Sequence, residues 1–168
     1  DRGLPGEAVL GRGHDLAGGR RIAGHDPAGN ELTAFDANLI SVAHARERVA
    51  VLVGYNDVRV REVDTPSLRE LVDLTSEFEC GVWLTLPARP GGEDASNPMA
   101  SSPLVDEWNL RLIAEVQRHD NLHLSQAWAQ AVDNAPEGKL LRDDGVHPNA
   151  AGQRLLAGIY RNAIDENC

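Results

Sequence analysis

Short apolar runs alternate with amphipathic helical stretches along most of this chain. Residues 48–53 (RVAVLV) are almost continuously apolar, and residues 81–86 (GVWLTL) have the same character. Strands that are buried on both faces read as such runs, and parallel strands need a helix-length crossover between them. The alternation therefore predicts an α/β fold, a three-layer α/β/α sandwich with a mostly parallel central sheet.

Residues 122–125 predict a third, shorter strand, and residues 21–24 and 8–10 are further strand candidates. The three tryptophans, Trp83, Trp108 and Trp128, are interpreted as core residues. Four helices are predicted from apolar residues at helical spacing. Their faces are Leu32, Phe35, Leu39 and Val42; Leu68, Leu71 and Val72 after a start at Thr65–Pro66; Leu104, Trp108, Leu112 and Val116; and Leu155, Leu156, Ile159 and Ala163, with Pro148 as the first helical residue.

The length and charge of the chain limit its class. A chain of 168 residues suits one domain, here residues 1–168. Its formal net charge of -10 disfavours nucleic acid and anionic membrane surfaces as partners. No apolar run approaches the roughly 20 residues that span a bilayer, so no membrane span is expected.

The two cysteines are Cys80, beside a strand-like run, and Cys168, the last residue. An even count in these places favours a disulfide that tethers the end of the chain, and two unpaired thiols are the alternative. A disulfide would fit a secreted or extracytoplasmic protein, whereas free thiols would fit a cytoplasmic one.

Residues 87–103 form the main irregular stretch, rich in proline and glycine, directly after the 81–86 run. Ligands of open α/β sheets bind beyond the carboxyl ends of the strands, so this stretch could be a lid or a substrate loop. An ordinary solvated surface loop is the alternative.

Asp144 and His147 are three residues apart in the segment DDGVHP. Gly145 between them permits a tight bend. A carboxylate that takes the Nδ1 proton of an imidazole leaves Nε2 free to act as a base. The alternative is a surface turn in which Asp144 only caps the backbone.

A second polar group, Gly54-Tyr55-Asn56-Asp57, follows the 48–53 run. Gly54 suits a sharp exit from a strand. Asn56 would then present an amide donor at the carboxyl edge of the sheet, where such a donor can stabilise an oxyanion. An ordinary strand-to-loop turn is the alternative.

Together, the G-x-N-D and D-G-x-H-P segments resemble the third and fifth blocks of the SGNH/GDSL-type hydrolases in form and order. The resemblance covers roughly residues 22–164. It implies a flavodoxin-like sandwich and hydrolysis of carboxylic esters, with acylated carbohydrate or small esters as substrates and no cofactor or metal. It also implies that His147 is the general base, Asp144 its orienting carboxylate and Asn56 an oxyanion donor. Gly29 best matches the glycine of the second block, a further oxyanion donor, ahead of Gly11 and Gly24.

The serine of the family's first block is missing from its expected place. No serine precedes Ser41, and Ser41 falls inside a predicted helix. The serines after Asn56 lack a strand-to-helix nucleophile turn, and Thr33 is an imperfect substitute at a helix start. Either the first strand and its serine lie upstream of Asp1, which we favour, or the domain has lost its nucleophile.

Two alternatives to the ester hydrolase follow. Without a nucleophile the domain would be a binding module, for example for a glycan. The sequence Gly-His-Asp occurs twice, at residues 13–15 and 24–26. Those His and Asp residues could ligate a metal in a metal-dependent hydrolase, although no His-x-x-x-His pattern or cysteine cluster supports such a site.

Overall fold

A computed structural model describes residues 47–59, 65–88, 102–136 and 138–168. The candidate strands at 8–10 and 21–24, the Leu32 helix and most of the 87–103 stretch lie outside the described residues. The elements are β1 (Arg48–Val51), α1 (Tyr55–Arg59), α2 (Thr65–Thr75), β2 (Cys80–Leu84), α3 (Ser102–Val116), β3 (Leu122–Ser125), α4 (Ala127–Asp133) and α5 (Ala150–Asn167).

The three described strands form a parallel sheet in the order β1-β2-β3. Val51 is paired with Trp83, and Trp83 is paired with Leu124. Every residue of β2 is buried, as expected for the middle strand. The interpretation of 48–53 as a strand buried on both faces needs correction, because β1 ends at Val51 and its four residues are exposed or only partly buried.

Helices cover both faces of β2, and the side-chain alternation of the strand shows how. Trp83 packs into a cluster with buried residues of α2 and α3, including Leu68 and Trp108. Val82 and Leu84 belong to a second cluster with residues of α4 and α5. Successive side chains of a strand point to opposite faces, so the two clusters are two separate layers. The predicted α/β/α sandwich is confirmed.

The helical faces of α2 and α3 are those predicted from the sequence, and all three tryptophans are buried. Two predictions for α5 are wrong. Leu155 is 39% exposed rather than part of the buried face. Pro148 is not the first helical residue, because Asn149 is the N-cap and the helix begins at Ala150.

The predicted disulfide between Cys80 and Cys168 is present, with Cα atoms 5.7 Å apart. It joins the end of α5 to the first residue of β2. Because Ile159 and Ala163 of α5 also pack with Val82 and Leu84, the helix lies along β2. Its 18 residues, about 27 Å, therefore extend from that end toward the carboxyl ends of the strands. Among the described ranges, no helix is both long and apolar enough to span a bilayer.

Candidate active site

The carboxyl edge of the sheet carries side chains from several elements. Tyr55 follows β1, and Trp128 follows β3. The indole Nε1 of Trp128 donates a hydrogen bond to the Tyr55 hydroxyl across 3.2 Å, which ties the exits of the two outer described strands together. Burial raises the pKa of Tyr55 well above its usual range, so this hydroxyl stays protonated.

Gly54 makes the exit from β1 sharp, as predicted. Its φ of 113° is a conformation that residues with a Cβ rarely adopt. A Cβ here would also lie 2.6 Å from Nε1 of Trp108 on α3, well inside contact distance. The Gly54 carbonyl accepts a 2.9 Å hydrogen bond from the Val58 backbone N–H, so the bend leads directly into α1.

Asn56 is therefore the second residue of a short helix, rather than part of an open turn. Its position in the chain places it at the carboxyl edge, two residues after the Gly54 bend. Its assignment as an oxyanion donor stays a prediction.

The Asp144–His147 segment is the tip of a tight backbone hairpin that leads into α5. Leu141 and Pro148 form an antiparallel bridge, and the Arg142 N–H donates to the His147 carbonyl at 2.8 Å. Gly145 lies at the turn with a φ of 68°, so the glycine provides the predicted bend.

Asp144 contacts His147 twice. One carboxylate oxygen, Oδ2, lies 2.9 Å from Nδ1 of the imidazole. The other, Oδ1, accepts the backbone N–H groups of Val146 and His147, each at 2.9 Å. Because a carboxylate can only accept, this arrangement favours the tautomer with the proton on Nδ1.

Asp144 is held in its charged form by these contacts. Partial burial by itself would raise the pKa of its carboxyl group. The two backbone N–H donors and the His147 ring outweigh that effect and lower the pKa of Asp144 below its usual value. An ionised carboxylate on Nδ1 stabilises the imidazolium that forms when Nε2 accepts a proton.

His147 is also accessible. Its side chain is 58% exposed, and that of Asp144 is 48% exposed. With Nδ1 bonded to Asp144, the remaining ring nitrogen, Nε2, is the one available for proton transfer. The pair has the arrangement required of a general base and the carboxylate that orients it.

Two observations indicate that this hairpin lies at the same edge of the sheet as Gly54. The disulfide at the far end of α5, together with the packing of this helix along β2, places its first turn toward the carboxyl edge. Val146, at the hairpin tip, packs against the same core cluster as Val53 and Tyr55. The two segments singled out in the sequence therefore lie in one region of the molecule.

The other predicted site residues lie outside the described ranges. These are Gly29, its alternatives Gly11 and Gly24, Ser41 and Thr33, together with the two Gly-His-Asp segments at 13–15 and 24–26. Within the described residues, no group of three or more His, Cys, Asp or Glu side chains could hold a metal ion.

Sequence reasoning missed two residues that shape the site, Asn149 and Trp108. Asn149 had a recognisable signal, because asparagine is a preferred N-cap and stands directly before the last helical pattern. Trp108 had no local signal for its contact with Gly54, because the two residues are far apart in the sequence and only the fold brings them together.

No protein-family model matches this chain, and no curated protein is significantly similar to it. Solved structures do match. An acetylxylan esterase, Axe2 from Geobacillus stearothermophilus, is 24% identical over 73% of this chain and 61% of its own, with a TM-score of 0.55. The hydrolase LAE5, from the metagenome of Lake Arreo in Spain, is 23% identical over 80% of this chain and 68% of its own, with a TM-score of 0.58.

A third match is a protein from Parabacteroides merdae described as a GDSL-like lipase. It is 22% identical over 74% of this chain and 62% of its own, with a TM-score of 0.55. The chain spans only about 61% of the length of Axe2. At these identities the likeness establishes the fold alone, which this chain shares with these solved hydrolases.

Proposed function

We propose that this domain hydrolyses carboxylic esters by serine acyl transfer. The observation that carries the proposal is the Asp144–His147 pair, which has an Nδ1–Oδ2 distance of 2.9 Å and an exposed ring at the carboxyl edge of the sheet. A base on a hairpin at that edge, supported by an ionised carboxylate, is suited to activate a hydroxyl nucleophile. The fold shared with a solved acetylxylan esterase and with a solved α/β hydrolase supports the same activity.

In the proposed reaction, a serine hydroxyl attacks the acyl carbon while Nε2 of His147 takes its proton. The imidazolium then returns that proton to the departing alcohol, and an acyl-enzyme remains. Water then attacks the acyl carbon while the same nitrogen takes its proton. The bond to the serine oxygen breaks, the imidazolium returns the proton to that oxygen, and the acid is released. Asp144 stabilises the imidazolium in both halves of the cycle.

The oxyanion of each tetrahedral intermediate needs hydrogen-bond donors. We assign the side-chain amide of Asn56 and the backbone N–H of Gly29 to this task, from the resemblance of their segments to the family blocks. Removal of one such donor typically reduces turnover by about 10²–10³-fold.

We place the nucleophilic serine in sequence encoded upstream of Asp1, together with the first strand of the sheet. This agrees with two facts about Axe2. The present chain spans about 61% of its length, and its catalytic variants include one in which a serine and one in which a histidine is replaced by alanine.

For substrates we propose acylated carbohydrates, in particular acetylated polysaccharide. Axe2 is described as an acetylxylan esterase, and this supports the substrate class by analogy of fold only. The Cys80–Cys168 disulfide supports a secreted or extracytoplasmic location, where such polymers occur and disulfides persist.

One observation favours a second function. The first 40 residues of the chain contain no serine. If no nucleophile lies upstream, the same edge would serve a binding module for glycans that turns nothing over.

The decisive experiment starts from the gene product that includes any sequence encoded upstream of Asp1. Its hydrolysis of p-nitrophenyl acetate and acetylated xylan is compared with that of His147→Ala. The control is His119→Ala, because His119 also contacts a carboxylate, with Nε2 2.8 Å from Asp73, but precedes the amino end of β3.

We expect His147→Ala to lose activity on the order of 10⁴-fold or more, and His119→Ala to retain it. Equal turnover by His147→Ala and the parent would refute the assigned base. Binding of xylan fragments without turnover, and no Gly-Asp-Ser upstream, would favour the binding module.

A further inference from the structure

The side chain of Asn149 lies at the joint between α5 and the hairpin that carries Asp144 and His147, and it bonds to both. Its Oδ1 accepts the backbone N–H groups of Ala151 at 2.9 Å and Gly152 at 3.0 Å, which caps the helix. Its Nδ2 donates to the carbonyls of Gly138 at 2.9 Å and Leu141 at 3.0 Å. Both amide hydrogens and two acceptor positions are therefore used.

The backbone around Asn149 closes the same joint. Its own N–H donates to the carbonyl of Leu140 at 2.9 Å. The first turn of α5 lies so near this strand of the hairpin that a Cβ at Gly152 would overlap the Leu140 carbonyl oxygen. The base of the hairpin thus has little room to shift as long as the Asn149 amide bonds both to the incoming strand of the hairpin and to the first turn of α5.

We propose that Asn149 is a positioning residue for the catalytic pair, beyond its role as a helix cap. This inference rests on the proposed function of His147. The cap contacts involve only Oδ1, whereas the contacts to Gly138 and Leu141 involve only Nδ2. The Nδ2 contacts hold the incoming strand of the hairpin, which pairs with His147 through Arg142. Their loss frees the base of the hairpin and with it the angle between the imidazole and Asp144.

Two substitutions separate the cap from the positioning role. Asn149→Asp is isosteric and keeps an acceptor for the cap, but it replaces the Nδ2 donor with an oxygen that faces two carbonyls. Asn149→Ser keeps an acceptor without adding charge. Agreement between the two variants excludes an effect of the added charge. Gln153→Ala is the matched control, because it removes an exposed amide that bonds to the Pro148 carbonyl at the same joint.

The readouts include two that do not depend on catalysis. The ¹⁵N chemical shifts of the His147 ring report which nitrogen carries the proton, and amide hydrogen exchange reports the opening of the hairpin at Arg142. We expect both Asn149 variants to lose the preference for the Nδ1–H tautomer and to exchange the Arg142 amide faster. The amides of Ala151 and Gly152 should stay protected, and Gln153→Ala should resemble the parent protein.

If the gene product is an esterase, kcat of both Asn149 variants should fall on the order of tenfold to a hundredfold with little change in KM, because the base is misplaced and not the substrate. A parent protein without esterase activity would refute the proposed function but leave the two spectroscopic readouts valid. Unchanged tautomer and unchanged Arg142 exchange in both variants would overturn the inference and leave Asn149 as a helix cap only.

Discussion

Substitution of Gly54 by alanine should destabilise the protein through two separable effects. The φ of 113° would force a Cβ into a strained backbone conformation, which costs about 1–3 kcal/mol. The same Cβ would lie 2.6 Å from Trp108 Nε1, and such overpacking costs about 1–3 kcal/mol more. The expected loss in the free energy of unfolding is therefore roughly 2–6 kcal/mol, the combined range of these two effects.

Urea unfolding of the parent and of Gly54→Ala measures this loss, and the chain supplies a matched control. Gly158 lies inside α5 with open space around its position, so Gly158→Ala should stabilise by about 0.5–1 kcal/mol. A double-mutant cycle with Trp108→Leu tests the contact itself. Removal of the ring should leave Gly54→Ala with the backbone cost alone.

Two outcomes would refute this reasoning. One is a loss below about 1 kcal/mol for Gly54→Ala, which would contradict both the backbone strain and the overlap. The other is an equal loss in the presence and absence of the Trp108→Leu substitution, which would show that the indole does not crowd Gly54.

Three further predictions concern other parts of the molecule. Removal of the disulfide by Cys80→Ser with Cys168→Ser should lower the free energy of unfolding by about 4–5 kcal/mol, because it closes a long loop, and no change in the urea midpoint would contradict this. The hydrogen bond from Arg69 lowers the pKa of Glu115, so the ionised carboxylate stabilises the fold above its unfolded pKa and loses that contribution as pH falls through its folded pKa. The difference in the free energy of unfolding between the parent and Glu115→Gln should therefore decrease as pH falls through the folded pKa, and acid titration of both proteins measures it. In the esterase assay, Asp144→Asn should reduce kcat on the order of 10⁴-fold, and full activity would exclude the orienting role.

The sequence was most informative where a pattern reflects a local requirement. Val82 and Trp83 of β2 point to opposite faces of the sheet and pack in different layers. The continuous apolar run at 81–86 was sufficient to predict a strand buried on both faces. The contact between Asp144 and His147 could also be predicted, because only Gly145 and Val146 separate the carboxylate from the imidazole and the glycine permits a tight turn.

Where two local signals competed, the sequence could not decide. Leu52 and Val53 continue the apolar run of β1, but they leave the strand and pack on the core as the chain approaches Gly54. Pro148 and Asn149 are both signals for a helix start. Asn149 is the cap because its Oδ1 accepts the backbone N–H groups of Ala151 and Gly152. Its Nδ2 also donates to two carbonyls of the preceding segment, and a helix propensity does not include such contacts.

The geometry and the placement of the Asp144–His147 pair have different physical origins. The hydrogen bonds described for the pair and its hairpin come from residues 138–152, so its geometry is largely a local property of that hairpin. Its placement at the carboxyl edge depends on α5, whose far end is bonded covalently to the first residue of β2. Substitutions in the hairpin should therefore alter the imidazole–carboxylate contact while the fold persists, whereas loss of the disulfide should weaken the fold while the contact survives in the molecules that remain folded.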